Sequence, residues 1–287
     1  MTVTSKIWFI TGVSRGLGKA LAEAVLAKGD IVIGTTRAGN AANQDVSGKL
    51  RLLPMEITDP EAVVTIVEQA HALHGRLDVV VNNAGYGLLG SIEEADEDEI
   101  TRLFDVNFHG PRRIIQAVLP HLRAQKSGHI VNITSIAGLA PNAGSGLYAA
   151  AKFAVEGLSQ SLAQEVAPLG IKVTLVEPGA FRTDFLSDHS IRARQPVIDH
   201  YAATVGAVMA RLASMAGKQI GDPARGAAAI IEAVYAVEPP LHLVLGSDAL
   251  QRIRDKHAEF AADLARWTPV SLSTDFDEAA ANSTISR

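Results

Sequence analysis

Short apolar runs alternate with stretches of helical spacing along most of the chain. Residues 7–10, 31–35, 50–57, 77–82, 129–134 and 171–176 are apolar runs of strand length, and 241–245 offers a seventh. Runs this short and this continuous suit strands whose two faces are both covered. Between them, residues 19–28 place Leu21, Val25 and Leu26 at helical spacing and stop at Gly29, a C-cap residue. Thr58-Asp59-Pro60-Glu61 opens another helix with an N-cap and a proline in its first turn. Residues 99–122 and 149–167 are helical, the second closing at Gly170. This alternation predicts an α/β fold: a three-layer, doubly wound parallel sheet of about seven strands with helices on both faces. No repeat, low-complexity tract or linker divides the chain, so residues 1–287 read as a single domain.

The rhythm breaks once. Residues 184–221 carry no strand signal but have a partly apolar helical stretch with Val205, Val208, Met209, Leu212 and Met215. An insertion after the sixth strand lies beyond the carboxyl ends of the sheet, where ligands bind in open α/β folds. It reads either as a lid or as a surface helix pair completing the core, and the lid is favoured. Residues 247–287 form a C-terminal extension, helix-like over 249–267 and polar from Ser271.

Composition narrows the function. A net charge of −5 leaves no basic footprint for nucleic acid. The chain has 0 cysteines, which removes disulfides, thiolate metal sites and cysteine nucleophiles together and fits a reducing compartment. No apolar run approaches the ~18 residues of a membrane span, and the N-terminus lacks a signal-peptide core. A cytoplasmic protein is the expectation. His71 and His74 share a helix at i and i+3, but no third ligand accompanies them, so surface histidines are favoured over a metal pair. The acidic run 93–99 reads as capping and solvating a helix start.

Gly12, Gly16 and Gly18 follow the first strand and open the first helix. Glycines there permit a tight turn and close approach of a pyrophosphate to backbone amides, while the helix N-terminus adds a favourable field. A P-loop is excluded, because Ala20 follows Gly18-Lys19 where Ser or Thr is needed. An NAD-preferring site carries an acidic residue at the end of the second strand, but here the chain reads Thr35-Thr36-Arg37. Arg37, with Arg15 in the glycine loop, suits a 2′-phosphate, so NADP(H) is favoured over NAD(H). Farther on, Tyr148 and Lys152 stand four residues apart, on one helical face, with Ser135 thirteen residues before the tyrosine. A lysine cation beside a phenol stabilises phenolate and is expected to draw its pKa down from about 10.

These residues resemble the short-chain dehydrogenases/reductases, in their single-domain, NADP(H)-preferring branch. The matching motifs are Thr11-Gly-x-x-x-Gly-x-Gly18, Asn82-Asn83-Ala84-Gly85, Asn107 in Val-Asn-Phe, the Ser135–Tyr148–Lys152 trio, and Pro178-Gly179 followed by Thr183. The resemblance implies a Rossmann fold and a hydride-transfer enzyme interconverting carbonyl and alcohol. Tyr148 would be the general acid or base. Lys152 would tune it and hold the ribose, Ser135 would bond the substrate oxygen, and Asn107 would hold a relay water. Ser14, Leu17, Thr36, Glu56, Ile57, Asn83, Ala84, Gly85, Pro178, Gly179, Phe181 and Thr183 would join the glycines and arginines around the cofactor. Glu56 stands where the family commonly has Asp against the adenine. Tyr86, Leu139, Phe181 and Phe185 fall on loops at the site end of the sheet and are expected in the substrate pocket.

A moderately large, hydrophobic ketone, aldehyde or alcohol is the expected substrate. The run Asn82–Gly90 looks like the hydroxysteroid and retinol dehydrogenase side of the family. The alternatives are reduction of 3-oxoacyl thioesters, against which the long lid and tail count, and a non-enzymatic NADP(H) sensor, against which the retained tetrad counts. A sugar-nucleotide epimerase would space its glycines differently. The resemblance also implies a homodimer or homotetramer paired through the helices near 99–122 and 149–167.

Overall fold

The computed structural model describes residues 5–38, 48–187, 190–193 and 197–276. Five residues of the expected lid (188–189 and 194–196) and the end of the tail (277–287) lie outside the described residues. The main sheet is built from β1 (Ile7–Thr11), β2 (Ile31–Thr36), β3 (Leu50–Pro54), β4 (Val79–Asn82), β6 (Gly128–Ile133), β7 (Ile171–Pro178) and β9 (His242–Leu245). All are parallel, in the order β3-β2-β1-β4-β6-β7-β9. The direction of winding reverses between β1 and β4, which opens a crevice beyond their carboxyl ends.

The pleat of β1 sorts its side chains between two cores. Ile7 and Phe9 join the face covered by α2 (Pro60–His74), α4 (Gly110–Gln125) and α5 (Gly146–Val166). Trp8 and Ile10 join the opposite face, under α1 (Gly16–Lys28) and α7 (Pro223–Tyr235). Burial on both faces explains why this strand is apolar at every position but its last. Asp59 caps α2 through Glu61 N and Ala62 N, at 2.9 and 3.1 Å, as its position before Pro60 predicts.

Three local features depart from the sequence reading. The helix expected at 99–122 is α3 (Glu97–Phe104), a π-helical turn (Asp105–His109) and α4. Residues 184–221 do contain a strand: β8 (Ile191–Ala193) pairs in parallel with β5 (Gly87–Leu89). At three residues each, neither strand carries a readable period. The acidic run does more than cap and solvate a helix start. Asp96 caps α3 through Asp98 N, but Glu94 accepts from Val197 N and Ile198 N at 2.6 and 2.9 Å, and Glu93 accepts from the Tyr201 hydroxyl at 2.5 Å. Residues 197–201 are thereby tied to the 93–94 turn; α6 (Ala207–Ser214) follows them. No described helix is long and apolar enough to cross a membrane.

Candidate active site

The crevice holds a cavity of about 880 Å³. At one end its wall is the β1–α1 turn. Gly12 and Gly16 adopt φ of +74° and +60°, a region closed to most side chains. Gly12 N and Val13 N donate to the Thr35 carbonyl, at 3.0 and 3.2 Å. The Asn83 amide donates to the carbonyls of Thr11 and Gly12, both at 2.9 Å, and Thr11 Oγ1 accepts from Asn83 N and Ala84 N, both at 3.0 Å. The two loops that flank the switch point are thus locked to each other. Gly18 does not line the cavity. A Cβ there would lie 2.2 Å from Asn83 Nδ2 and 2.4 Å from the Gly12 carbonyl, so its role is close packing behind the loop.

Helix α1 starts without a side-chain cap, leaving its first-turn N–H groups facing the cavity end that Ser14, Arg15, Gly16 and Leu17 line. An uncapped N-terminus behind a glycine turn fits a pyrophosphate. Thr36, Arg37, Glu56 and Ile57 continue this wall. Glu56 Oε1 accepts from the Thr58 hydroxyl at 2.9 Å, which holds the carboxylate against its own turn.

The reactive centre lies on the floor. Tyr148 and Lys152 are 7% and 6% exposed on α5. Lys152 Nζ donates to the Ile133 carbonyl at 2.9 Å and stands 5.8 Å from the Tyr148 ring centre. A buried polar chain fixes that helix against the sheet. Asn82 donates to Asn132, Asn132 to Ser159, and Ser159 to the Val155 carbonyl, each at 2.7 Å. The expected downward pull of Lys152 on Tyr148 is not found. Burial pushes the phenol up to about 12, and Ser135 is the partner that opposes it. Lys152 itself is lowered to about 8 by burial, against the raising effect of Glu156.

Asn107, on the π-helical turn, is 1% exposed and outside the cavity wall. It exchanges two hydrogen bonds with the Tyr86 backbone: Tyr86 N donates to its Oδ1 at 3.1 Å, and its Nδ2 donates to the Tyr86 carbonyl at 2.7 Å. A Cβ on Gly85 would lie 3.1 Å from Asn107 Oδ1 and 3.8 Å from Lys152 Nζ, so amide and ammonium bracket one glycine. Single π turns inserted between α-helical segments are frequent at functional sites.

Asn83, Ala84, Gly85, Ser135, Pro178, Gly179, Phe181 and Thr183 all reach the cavity. Asp248, in the first turn of α8 (Ser247–Leu272), accepts from Ala180 N at 2.8 Å and holds the turn after β7. Of the expected pocket residues, Tyr86 and Phe185 line the wall, and the Phe185 ring sits 6.1 Å from that of Tyr148. Phe181 lines the wall too, with its ring wedged on Gly221 and Gly226. Leu139 is a correction: it turns away and packs with Ile136, Ala140, Ala249 and Ile253. The opposite end of the cavity is also lined by Ile191, Arg192, Arg211, Leu212, Met215, Gln219, Gln251 and Arg252; the sequence put Leu212 and Met215 in the expected lid segment and assigned none of the others to the site. They converge from β8, α6, the loop after it and α8, and no local spacing links them. His71 stacks on His121 at 4.1 Å, and His121 pairs with Glu68, which makes a surface cluster of the histidines' helix.

Comparison with known proteins agrees with this architecture. The short chain dehydrogenase family model matches residues 6–194. Oxidoreductase BOA17 of Botryotinia fuckeliana is 40% identical over 274 residues, covering 94% of this chain and 99% of the relative. A 3-ketodihydrosphingosine reductase of Bacteroides thetaiotaomicron is 42% identical over 186 residues, 65% of this chain and 68% of the relative. The 3-oxoacyl-(acyl-carrier-protein) reductase FabG of Escherichia coli is 37% identical over 188 residues, 64% and 77%. Among solved structures, a short-chain dehydrogenase from Streptomyces avermitilis superposes with a TM-score of 0.89 at 40% identity, over 96% of this chain and 100% of that one. A Burkholderia phymatum relative in complex with NAD reaches 0.76 at 21% identity over 92% and 96%, and ElxO with NADP bound reaches 0.70 at 26% over 86% and 100%. Family match, sheet order and the full-length relatives make one statement: the chain belongs to the short-chain dehydrogenase family and is an NAD(P)-dependent oxidoreductase.

Proposed function

We propose that the protein is an NADP(H)-dependent reductase of moderately large, hydrophobic ketones or aldehydes, running in reverse as an alcohol dehydrogenase. One observation carries the reading: the Tyr148 phenol, with Ser135 as its partner, is buried in a cavity whose substrate side is lined by Tyr86, Phe185, Ile191, Leu212 and Met215, and whose β2 end carries Arg15 and Arg37. The 42% identity to a 3-ketodihydrosphingosine reductase supports a large apolar ketone. Arg37 just after β2, Arg15 in the glycine turn and the lack of an acidic residue at the end of β2 support a 2′-phosphate.

A bound nicotinamide cofactor supplies the hydride. The protein supplies orientation and the proton. Tyr148, protonated at neutral pH and raised further by burial, donates its proton to the carbonyl oxygen as negative charge develops there. Ser135 hydrogen-bonds the same oxygen. Lys152, anchored on the Ile133 carbonyl, is placed to hold the ribose and to return a proton to the tyrosine. Asn107 and Gly85 position the Tyr86 backbone beside it, and a water held there would complete the relay. The test is initial rates on a ketone panel with NADPH and NADH, in the wild type and in Arg37→Ala. Loss of a charged hydrogen bond to phosphate should raise the KM for NADPH about 10- to 100-fold and leave NADH nearly unchanged. Equal effects on both cofactors would sink the 2′-phosphate contact.

One observation favours a second reading, reduction of 3-oxoacyl thioesters: Arg192, Arg211 and Arg252 line the substrate side, and cations there suit an anionic carrier. The FabG relative points the same way. A kcat/KM for acetoacetyl-CoA above that of every neutral ketone would select it.

A further inference from the structure

Helix α8 leaves the body of the molecule after its first turns. Ala249 is fully buried, Arg252 donates to the Ala140 carbonyl, and Ile253 packs on Ile136 and Ala140. From residue 254 to 272 every position is exposed. That projecting length is not polar throughout. His257, Phe260, Leu264 and Trp267 follow one another along it at steps of 3, 4 and 3 residues, and they continue the spacing of Leu250 and the body-packed Ile253 at its root, the a and d pattern of a heptad seam. Leu250, Phe260, Leu264 and Trp267 are 41, 60, 54 and 55% exposed. The seam runs about 25 Å at ~1.5 Å per residue. Single exposed apolar residues need no explanation, but a continuous stripe marks an interface.

We infer that a second copy of this chain covers the stripe, its α8 laid antiparallel on the first. Charge selects this occupant. The helix is balanced beyond its anchor, Arg254, Lys256 and Arg266 standing against Asp255, Glu259 and Asp263. An anionic membrane surface would call for a basic excess on the polar face, which is absent. Along the seam, Lys256 and Asp263 occupy the same flanking position in successive heptads. With Phe260 layered on His257 of the second copy, antiparallel helices bring that flank against itself. Lys256 then faces Asp263 of the second copy, twice per dimer. Parallel helices would set Lys256 against Ala261 and Asp263 against Thr268, and no pair would form. The stripe also has apolar surface left to bury, since Phe260, Leu264 and Trp267 keep 60, 54 and 55% of their surface exposed. This surface is separate from the helices near 99–122 and 149–167, through which the family resemblance implies pairing. Its root lies in the site, since Asp248, Gln251 and Arg252 line the cavity.

Sedimentation and light scattering of the full chain provide the test. The double variant Phe260→Asp/Leu264→Asp should have half the wild-type mass at equal concentration, with helicity and turnover retained; both side chains are exposed, so neither change enters the core. Equal masses overturn the proposal. Orientation is read separately, because the chain has 0 cysteines. Leu250→Cys and Trp267→Cys proteins, mixed under reducing conditions and then oxidised, should give the mixed disulfide at least tenfold over either self-linked product. Self-linked dimers of each variant alone, or no covalent dimer in the mixture, overturn the antiparallel pairing.

Discussion

At the β1–α1 end of the cavity the wall is backbone, and at the opposite end, lined in part from residues 184–221, it is side chain. Gly12, Gly16 and the Asn83–Thr11 lock shape the first, where an added Cβ on Gly12 would already touch Ala84 at 3.0 Å. The second is made by Tyr86, Phe185, Ile191, Arg211 and Gln219, which arrive from separate segments. A backbone wall admits one shape and recognises a group common to many substrates of one enzyme class. A side-chain wall can be rebuilt residue by residue without disturbing the fold. The floor between them, Tyr148 and Lys152 on α5, belongs to neither and serves both. The largest effect should therefore follow from the floor. Tyr148→Phe keeps the ring and its contact with Phe185 but removes the proton donor. Stopped-flow and steady-state rates should show kcat lower by about 10²- to 10⁴-fold, with NADPH affinity within about threefold. Unchanged turnover would remove Tyr148 from the mechanism.

The backbone end answers to Gly18. A methyl there meets Asn83 Nδ2 at 2.2 Å and the Gly12 carbonyl at 2.4 Å, and the second contact is backbone, with no side chain to swing aside. Gly18→Ala should weaken cofactor binding about tenfold or more and lower Tm by a few degrees, as overpacking of roughly 1–3 kcal/mol implies. Calorimetric titration with NADPH and a thermal scan measure both. An alanine tolerated without loss would mean that the turn is softer than its contacts indicate, and the contrast between the two ends would weaken.

The same contrast governs what could be read from the sequence. The glycine loop, the Tyr148–Lys152 pair and the helix start at Asp59-Pro60 were legible because their partners lie within a few residues. The π-helical turn was not. It places Asn107 through tertiary partners, the Tyr86 backbone and the fit of Gly110 under Ile57, while its residues look like ordinary helix. β5 and β8 exist only by pairing with each other, across about a hundred residues. Leu139 was misplaced because a loop position does not say which way a side chain turns, and this one turns to α8. The helix expected at 249–267 was found and extends to Leu272, yet its exposure depends on the whole surface and not on its own pattern. Tyr148 answers to burial and Ser135 instead of Lys152 for a similar reason, since desolvation is set by everything packed around the group.

The smallest expected effect is a pH-dependent one, and it tests the shared floor. One turn beyond Lys152, Glu156 is 2% exposed, and Thr134, Lys152 and His242, whose Nδ1 lies 3.9 Å from Glu156 Oε2, oppose only in part the effect of its burial. The buried Glu177 lies nearby, with His242 Nδ1 2.7 Å from its Oε1. Burial raises Glu156 from 4.5 to about 7 and Glu177 to about 8, with their mutual repulsion adding to the first. The folded state thus holds these protons more tightly than the unfolded chain does. The stability this contributes is full below about pH 4.5, declines as pH rises through 7 to 8, and is gone above that. Glu156→Gln removes one buried ionisation with little change of shape. It should leave Tm unchanged near pH 5 and raise it by about 2–4 °C near pH 9, for an effect of roughly 1 kcal/mol. Differential scanning calorimetry across that range measures it. A gain at pH 5, or none at pH 9, would mean that the carboxylate is stabilised where it lies, and the floor would then be held by charge pairing with Lys152 in place of the neutral packing inferred from its burial.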